Sequence, residues 1–271
     1  MNRVLTVLLL FMSIIMWPTN VMSDELETVA IIGTGDLGDS FGPRLAKLGY
    51  KVVYGSRSPD SGKVRALVAA TGNGATALSQ KEAAQQGDIV LLAVPWPAME
   101  TVAKNLGDLD DKIVIDVSGP WTQAADGYAE ILVETSSAEM IQAWNPGAKV
   151  VKGLTTMGSK IIDDPMAAGG LVTIPVASDH RDAKERVAAI VVELGMDPVD
   201  VGPLRMARAI EAMGLIYMTP LLQRRTEEWE FFFRRNADWV CKWEDEWSAP
   251  VYDAGNLADM PETQDPPVPC P

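Results

Sequence analysis

The chain has one histidine and two cysteines in 271 residues, and 37 acidic residues outnumber its 23 basic ones. Each shortage excludes something. A single His180 rules out histidine-rich metal chemistry, and its place between Asp179 and Arg181 at a helix start points to an exposed residue rather than an acid or base. Cys241 and Cys270 lack metal-site spacing. In an exported protein they permit one disulfide tying the C-terminal tail to the preceding helix, with two free thiols as the alternative. The formal charge of -14 sets aside nucleic-acid phosphates and anionic lipids as general partners. A polyanionic ligand must therefore find a local positive spot.

Long apolar runs are missing except at the N-terminus. Arg3 precedes an almost wholly apolar stretch from Val4 to Trp17, and Val21-Met22-Ser23 offers small residues for processing, which reads as an export signal over residues 1–23. The run is shorter than the roughly 20 residues of a membrane span. Cleavage before Asp24 predicts a periplasmic or secreted protein with no span left after signal removal; an uncleaved anchor is the alternative. No cysteine follows the run and no twin-arginine pair precedes it, so neither a lipid anchor nor folded export is indicated.

What is present is ordinary for a globular core: 47% apolar and 22% charged residues. From Thr28 onward short apolar strands alternate with helices, the mark of a parallel sheet covered on both faces. Strands are expected at Thr28 to Ile32, Lys51 to Tyr54, Ala75 to Leu78, Asp88 to Val94, Lys112 to Asp116, Lys149 to Gly153, Leu171 to Val176 and Pro198 to Val201. Runs such as Ile89-Val90-Leu91-Leu92 are continuous rather than alternating, as strands buried on both faces should be. Capping boxes at Ser79-Gln80-Lys81-Glu82 and Ser136-Ser137-Ala138-Glu139 set two helix starts. Further helices are expected from Arg181 to Leu194 and from Leu204 to about Tyr217.

These elements predict an α/β fold: a Rossmann-type doubly wound parallel sheet over residues 24–146, a smaller C-terminal α/β portion over 147–220, and a helical, Trp-rich segment with a Pro-rich tail over 221–271. In that last segment Phe232, Asn236, Trp239, Trp243 and Trp247 fall near one helical face. The stripe would dock on the main domain or on a second subunit in a homodimer; stacking on a flat ring or covering the site is the alternative.

Chemistry concentrates after the first strand. Gly33-Thr34-Gly35-Asp36-Leu37-Gly38 follows Val29-Ala30-Ile31-Ile32 directly and opens a helix that closes at Gly49. That context turns a loose glycine pattern into a dinucleotide fingerprint, with a tight turn, close backbone approach to a pyrophosphate, and a helix N-terminus offering free N–H groups. Pro43 inside the same helix should remove one backbone bond. Where an NAD-selective domain carries an acid at the end of the second strand, this chain has Gly55-Ser56-Arg57-Ser58. Arg57 offers a fork of donors and Ser56 a hydroxyl, so NADP is favoured; Lys63 is a further candidate for the 2'-phosphate. Ala93-Val94-Pro95-Trp96 should face the cofactor at the end of the fourth strand, with Trp96 flanking the nicotinamide or packing in the core. Ser118 after the fifth strand, and Thr155 and Thr156 after the sixth, are crevice candidates, the threonines for substrate.

Together the Gly33 to Gly38 loop, Tyr54-Gly55-Ser56-Arg57, Ala93 to Trp96, Val151-Lys152-Gly153-Leu154-Thr155-Thr156 and Asp200 to Arg208 resemble the coenzyme F420-dependent NADP oxidoreductase family, over roughly residues 28–215. The cytosolic domain of the STEAP metalloreductases shares that fold. The resemblance implies a deazaflavin or flavin-like ring, such as F420, stacking on the nicotinamide in a cleft between two portions. Hydride transfer there depends on positioning and needs no general acid or base. Thr155-Thr156 departs from the Asn-Thr of many relatives, as do the export signal and the Trp-rich segment.

Three functions follow. The first is an NADPH-dependent oxidoreductase with a deazaflavin, flavin or metal-chelate acceptor. A β-hydroxyacid or pyrroline-carboxylate type dehydrogenase is the second, though little chain follows Gly202 to build the large helical domain such enzymes add. The third is an NADP-binding sensor or assembly protein without chemistry, which an exported location favours.

Overall fold

The computed structural model describes residues 27–224 and 229–233. The expected signal segment, both cysteines and the aromatic stripe beyond Phe233 lie outside the described residues. Among the described residues no helix is long and apolar enough to cross a membrane.

Along the chain come β1 (Thr28–Ile32), β2 (Lys51–Ser56), β3 (Thr76–Ser79), β4 (Ile89–Leu92), β5 (Ile113–Asp116), a short hairpin of β6 (Trp121–Gln123) and β7 (Ala129–Ile131), then β8 (Lys149–Lys152). Six of these form one parallel sheet in the order β3-β2-β1-β4-β5-β8. The chain reverses its winding between β1 and β4, and the crevice at such a switch point is where open α/β sheets bind ligands.

Successive side chains of a strand point to opposite faces, and here both faces are covered. Ile31, Leu91, Ile115 and Val151 pack with Phe41 and Leu45 of α1 (Asp36–Lys47). Ala30, Ile32, Val90, Leu92 and Val114 face the other way, toward α3 (Gln80–Gln86), α4 (Trp96–Asn105) and α5 (Ser137–Trp144). α2 (Gly62–Thr71) lies between β2 and β3 in the chain. The continuous apolar runs therefore serve two cores at once.

The helix starts follow local chemistry. At α3 the capping box is complete, with Ser79 Oγ accepting from Glu82 N and the Glu82 carboxylate accepting from Ser79 N. At α5 Ser136 caps Glu139 N in the same way, and the Glu139 carboxylate accepts both from the Ser136 hydroxyl at 2.7 Å and from Arg208 at 2.6 Å. A tertiary ion pair is thus added to the local motif. α1 runs through Pro43 as a single helix.

Beyond β8, α6 (Ser159–Asp163) packs on α1, and β9 (Thr173–Val176) pairs in parallel with β10 (Asp197–Asp200) across α7 (Arg181–Glu193). A bridge between Lys152 and Ala177 joins this small sheet to β8. One turn of 3-10 helix at Leu204–Met206 leads into α8 (Ala207–Leu222), which extends past the expected end near Tyr217. The expected division between residues 146 and 147 falls just before β8. Because Val150 and Val151 are fully buried and β8 pairs with β5, the central sheet runs across that division. The β6–β7 hairpin was not expected; each strand has three residues and carries no apolar period, and it is held where β7 packs on α8.

Candidate active site

Where β1, β2, β4 and β5 end, their C-terminal edges surround a cavity of about 910 Å³. β1 delivers Gly33, whose N–H donates to Gly55 O at 3.1 Å and whose φ of +125° turns the chain sharply into α1. A Cβ placed at Gly38 would lie 2.3 Å from the Gly33 carbonyl oxygen, so only glycine lets α1 sit this close to the loop. The cradle of backbone N–H groups at the start of α1 opens onto the cavity, which suits a dinucleotide pyrophosphate.

Gly33, Thr34, Gly35, Asp36 and Leu37 line the cavity, and Gly38 stands behind it as the packing residue. Ser56, Arg57, Ser58 and Lys63 line it at the β2 edge. Ser56 Oγ is buried and accepts from Ser58 N at 3.1 Å, which shapes the turn. Arg57 and Lys63 are exposed, and neither pairs with another described residue. Ala93, Val94, Pro95 and Trp96 line the cavity after β4. Trp96 does so while stacking on Trp144, with ring centroids 6.1 Å apart and planes 22° from parallel. The ring thus packs against the core and forms part of the cavity wall.

Ser118 also reaches the cavity, but its hydroxyl and N–H both donate to Asp116 Oδ1, at 2.6 and 2.9 Å. The expected threonines do not reach it. Thr155 and Thr156 are buried and absent from the lining, because β8 ends at Lys152 and Leu154 takes a φ of +57° that carries the chain inward. In their place stands Trp121, which sequence reasoning missed. Its ring lies over Gly119 and Gly214, where a side chain at either would collide with it. The Gly119-Pro120-Trp121 turn just after a sheet strand was the one available signal.

Sequence comparison now bears on this geometry. A family model described as NADP oxidoreductase coenzyme F420-dependent matches residues 28–120. The F420-dependent NADP reductase of Methanocaldococcus jannaschii is 30% identical over 210 residues, covering 72% of this chain and 90% of that protein. This chain belongs to the coenzyme F420-dependent NADP oxidoreductase family. The family is one of NADP-dependent oxidoreductases, and the glycine cradle described above lies within the matched region. Metalloreductase STEAP3 of Rattus norvegicus is 28% identical over 193 residues, but the match spans 70% of this chain and only 37% of STEAP3. Among solved structures, one assigned as an F420-dependent NADP-reductase from Arthrobacter sp. FB24 superposes with a TM-score of 0.70 at 27% identity, covering 76% of this chain and 99% of that one.

Below the cavity this family member buries a charged cluster that sequence reasoning also missed. Asp116, Lys152 and Glu211 have no exposed side-chain surface. Lys152 Nζ lies 3.0 Å from Asp116 Oδ2, 3.2 Å from Glu211 Oε1 and 3.0 Å from Ser137 Oγ, and it donates to the Ser118 carbonyl. Ser137 donates to Glu211 Oε1 through N at 2.9 Å and through Oγ at 2.6 Å. Glu211 Oε2 has no partner among the described residues. Burial, opposed by Lys152, pushes the Glu211 carboxyl above its ordinary range.

A group whose pKa is raised on folding contributes stability below its ordinary pKa and loses it as pH climbs through the raised value. Wild-type stability is therefore expected to fall over that window, by up to about 1.4 kcal/mol per pH unit. Glu211→Gln, which cannot ionise, should flatten that part of the curve. Urea denaturation at successive pH values upward from the ordinary carboxyl range reads the difference; identical slopes for the two proteins would refute the assignment.

Proposed function

We propose that this chain transfers hydride between NADP(H) and a flat deazaflavin or flavin ring, such as F420; a metal chelate would be reduced only through a flavin that takes the hydride and passes its two electrons singly to two ferric ions. The observation that carries the reading is the cavity's division of labour. Among the described residues its ionisable lining residues are Asp36, Arg57 and Lys63, all on the β1 and β2 side, whereas its far wall includes Trp96, Ser118, Gly119 and Trp121. Free N–H groups at the start of α1 receive the pyrophosphate, and Arg57 takes the 2'-phosphate as a bidentate partner with Lys63 nearby. No carboxylate at the end of β2 competes for the ribose, which favours NADP over NAD. When bound, the cofactor supplies or accepts the hydride. Trp96 and Trp121 hold two rings in register and exclude water between them. A dehydrogenase acting on a hydroxyl or an imine needs a proton donor at the reacting atom, and among the described residues this wall offers no carboxylate, imidazole or ammonium.

Titrating the purified chain with NADPH and NADH, then following NADPH oxidation with F420, FMN and ferric citrate, tests the reading. Tighter NADPH binding and turnover on one acceptor are expected. Binding without turnover would favour a sensor, and no binding would remove the proposal.

Arg57→Ala is expected to raise the Kd for NADPH by about 10- to 150-fold, the worth of one charge-assisted contact, and to leave NADH within about threefold. Equal losses for both cofactors would place the 2'-phosphate elsewhere.

A further inference from the structure

The buried cluster is expensive to maintain, and its geometry connects it to the cavity through one residue. Asp116 Oδ1 accepts both the N–H and the hydroxyl of Ser118, and Lys152 Nζ donates to the Ser118 carbonyl. Ser118 is thus held at every polar group it has. Gly119 and Trp121, the next cavity-lining residues, hang from that point. The cluster draws on separate parts of the chain: Asp116 ends β5, Lys152 ends β8, Ser137 starts α5 and Glu211 lies in α8. α8 also supplies Gly214, over which the Trp121 ring lies. One network therefore ties the sheet edge, the wall loop and the C-terminal helix together.

We propose that Lys152 is a positioning residue for hydride transfer: it fixes the Ser118–Trp121 wall from behind and so sets how the nicotinamide and the acceptor ring stack, touching neither. The inference rests on the placement of NADP(H) argued above. Lys152 is wholly buried and absent from the cavity lining, so it contributes no contact to cofactor binding. Its removal should loosen the wall where the hydride moves and leave the phosphate-binding end as it is. Because transfer is steep in distance and angle, a small loss of order there costs rate far more than affinity.

The test uses the full chain and the pair variant Asp116→Asn/Lys152→Met, which removes both charges together, keeps side-chain volume and leaves of the cluster's carboxyls only Glu211, already pushed toward its neutral form by burial. NADPH affinity is measured by calorimetry, the bound nicotinamide by its emission anisotropy, and turnover with whichever of F420, FMN or ferric citrate the wild type uses fastest. Kd within about threefold of wild type is expected, with lower anisotropy. We expect kcat to fall at least 30-fold and the isotope effect with NADPH deuterated at C4 to rise toward its limiting value. Unchanged kcat and anisotropy would overturn the proposal, as would Kd and kcat worsening in parallel with the isotope effect unmoved. If the pair variant does not fold, Lys152→Gln is read by the same four measurements. Wild type that binds NADPH without turnover leaves the anisotropy comparison to decide; wild type that does not bind removes the cofactor placement itself and this inference with it.

Discussion

Gly33→Ala is expected to lower the stability of the fold by about 3 kcal/mol or more and to weaken NADPH binding more than tenfold. Two costs coincide at this position. A φ of +125° is strained for any residue with a Cβ. A Cβ there would also lie 2.2 Å from the carbonyl oxygen of Ala93, a backbone atom held in the sheet edge by the Ala93 N–H bond to Ile32 O at 2.9 Å. Neither the loop nor the strand end can yield alone, because Gly33 N is itself bonded to Gly55 O. The combined loss is about 3 kcal/mol or more, a large part of the stability of a typical domain. Urea denaturation and an NADPH titration check it. A variant as stable as wild type, binding within twofold, would show that the turn relaxes in a way this geometry does not allow.

Removing the Lys152 charge alone is expected to be comparably damaging, for an electrostatic reason. Lys152→Met leaves Asp116 with no exposed surface and no cation, at a cost of about 3–5 kcal/mol. Adding Asp116→Asn should recover much of that loss, because a neutral amide still accepts from Ser118 and the one carboxyl left without a cation, Glu211, is already pushed toward its neutral form by burial. The double variant is therefore expected to be more stable than Lys152→Met, a non-additivity that a double-mutant cycle measures directly. Additive losses would mean that the lysine acts through packing instead of charge.

The central sheet was legible in the sequence because each of its strands is a local apolar run bounded by turns. Ile89-Val90-Leu91-Leu92 announces a strand buried on both faces, and the structure buries all four residues. Ser79 with Glu82 announces a helix start in four residues, and it forms as written. The glycine loop was legible for the same reason: strand, turn and helix N-terminus are consecutive, so the geometry that brings Gly33 to Gly38 around one end of α1 is local.

Other features were not legible because their partners are distant. Glu139 shares its carboxylate between Ser136 and Arg208, the latter 69 positions away. Thr155 and Thr156 sit at the end of a sheet strand, where crevice residues belong, yet the turn at Leu154 directs them into the core. Trp121 faces the cavity only because α8 presents Gly214 behind its ring. None of these contacts leaves a periodic or compositional trace.

Sequence by itself determined the strand and helix series, the glycine cradle, and the replacement of an acid by Arg57 after β2, since each depends on residues adjacent in the chain. Tertiary structure alone decided which residues wall the far end of the cavity, and assembled Asp116, Ser137, Lys152 and Glu211 into one buried cluster. A strand end, a second strand end and two helices must first pack before those four side chains meet, and a burial that neutralises or pairs a charge exists only once water has been excluded from between them.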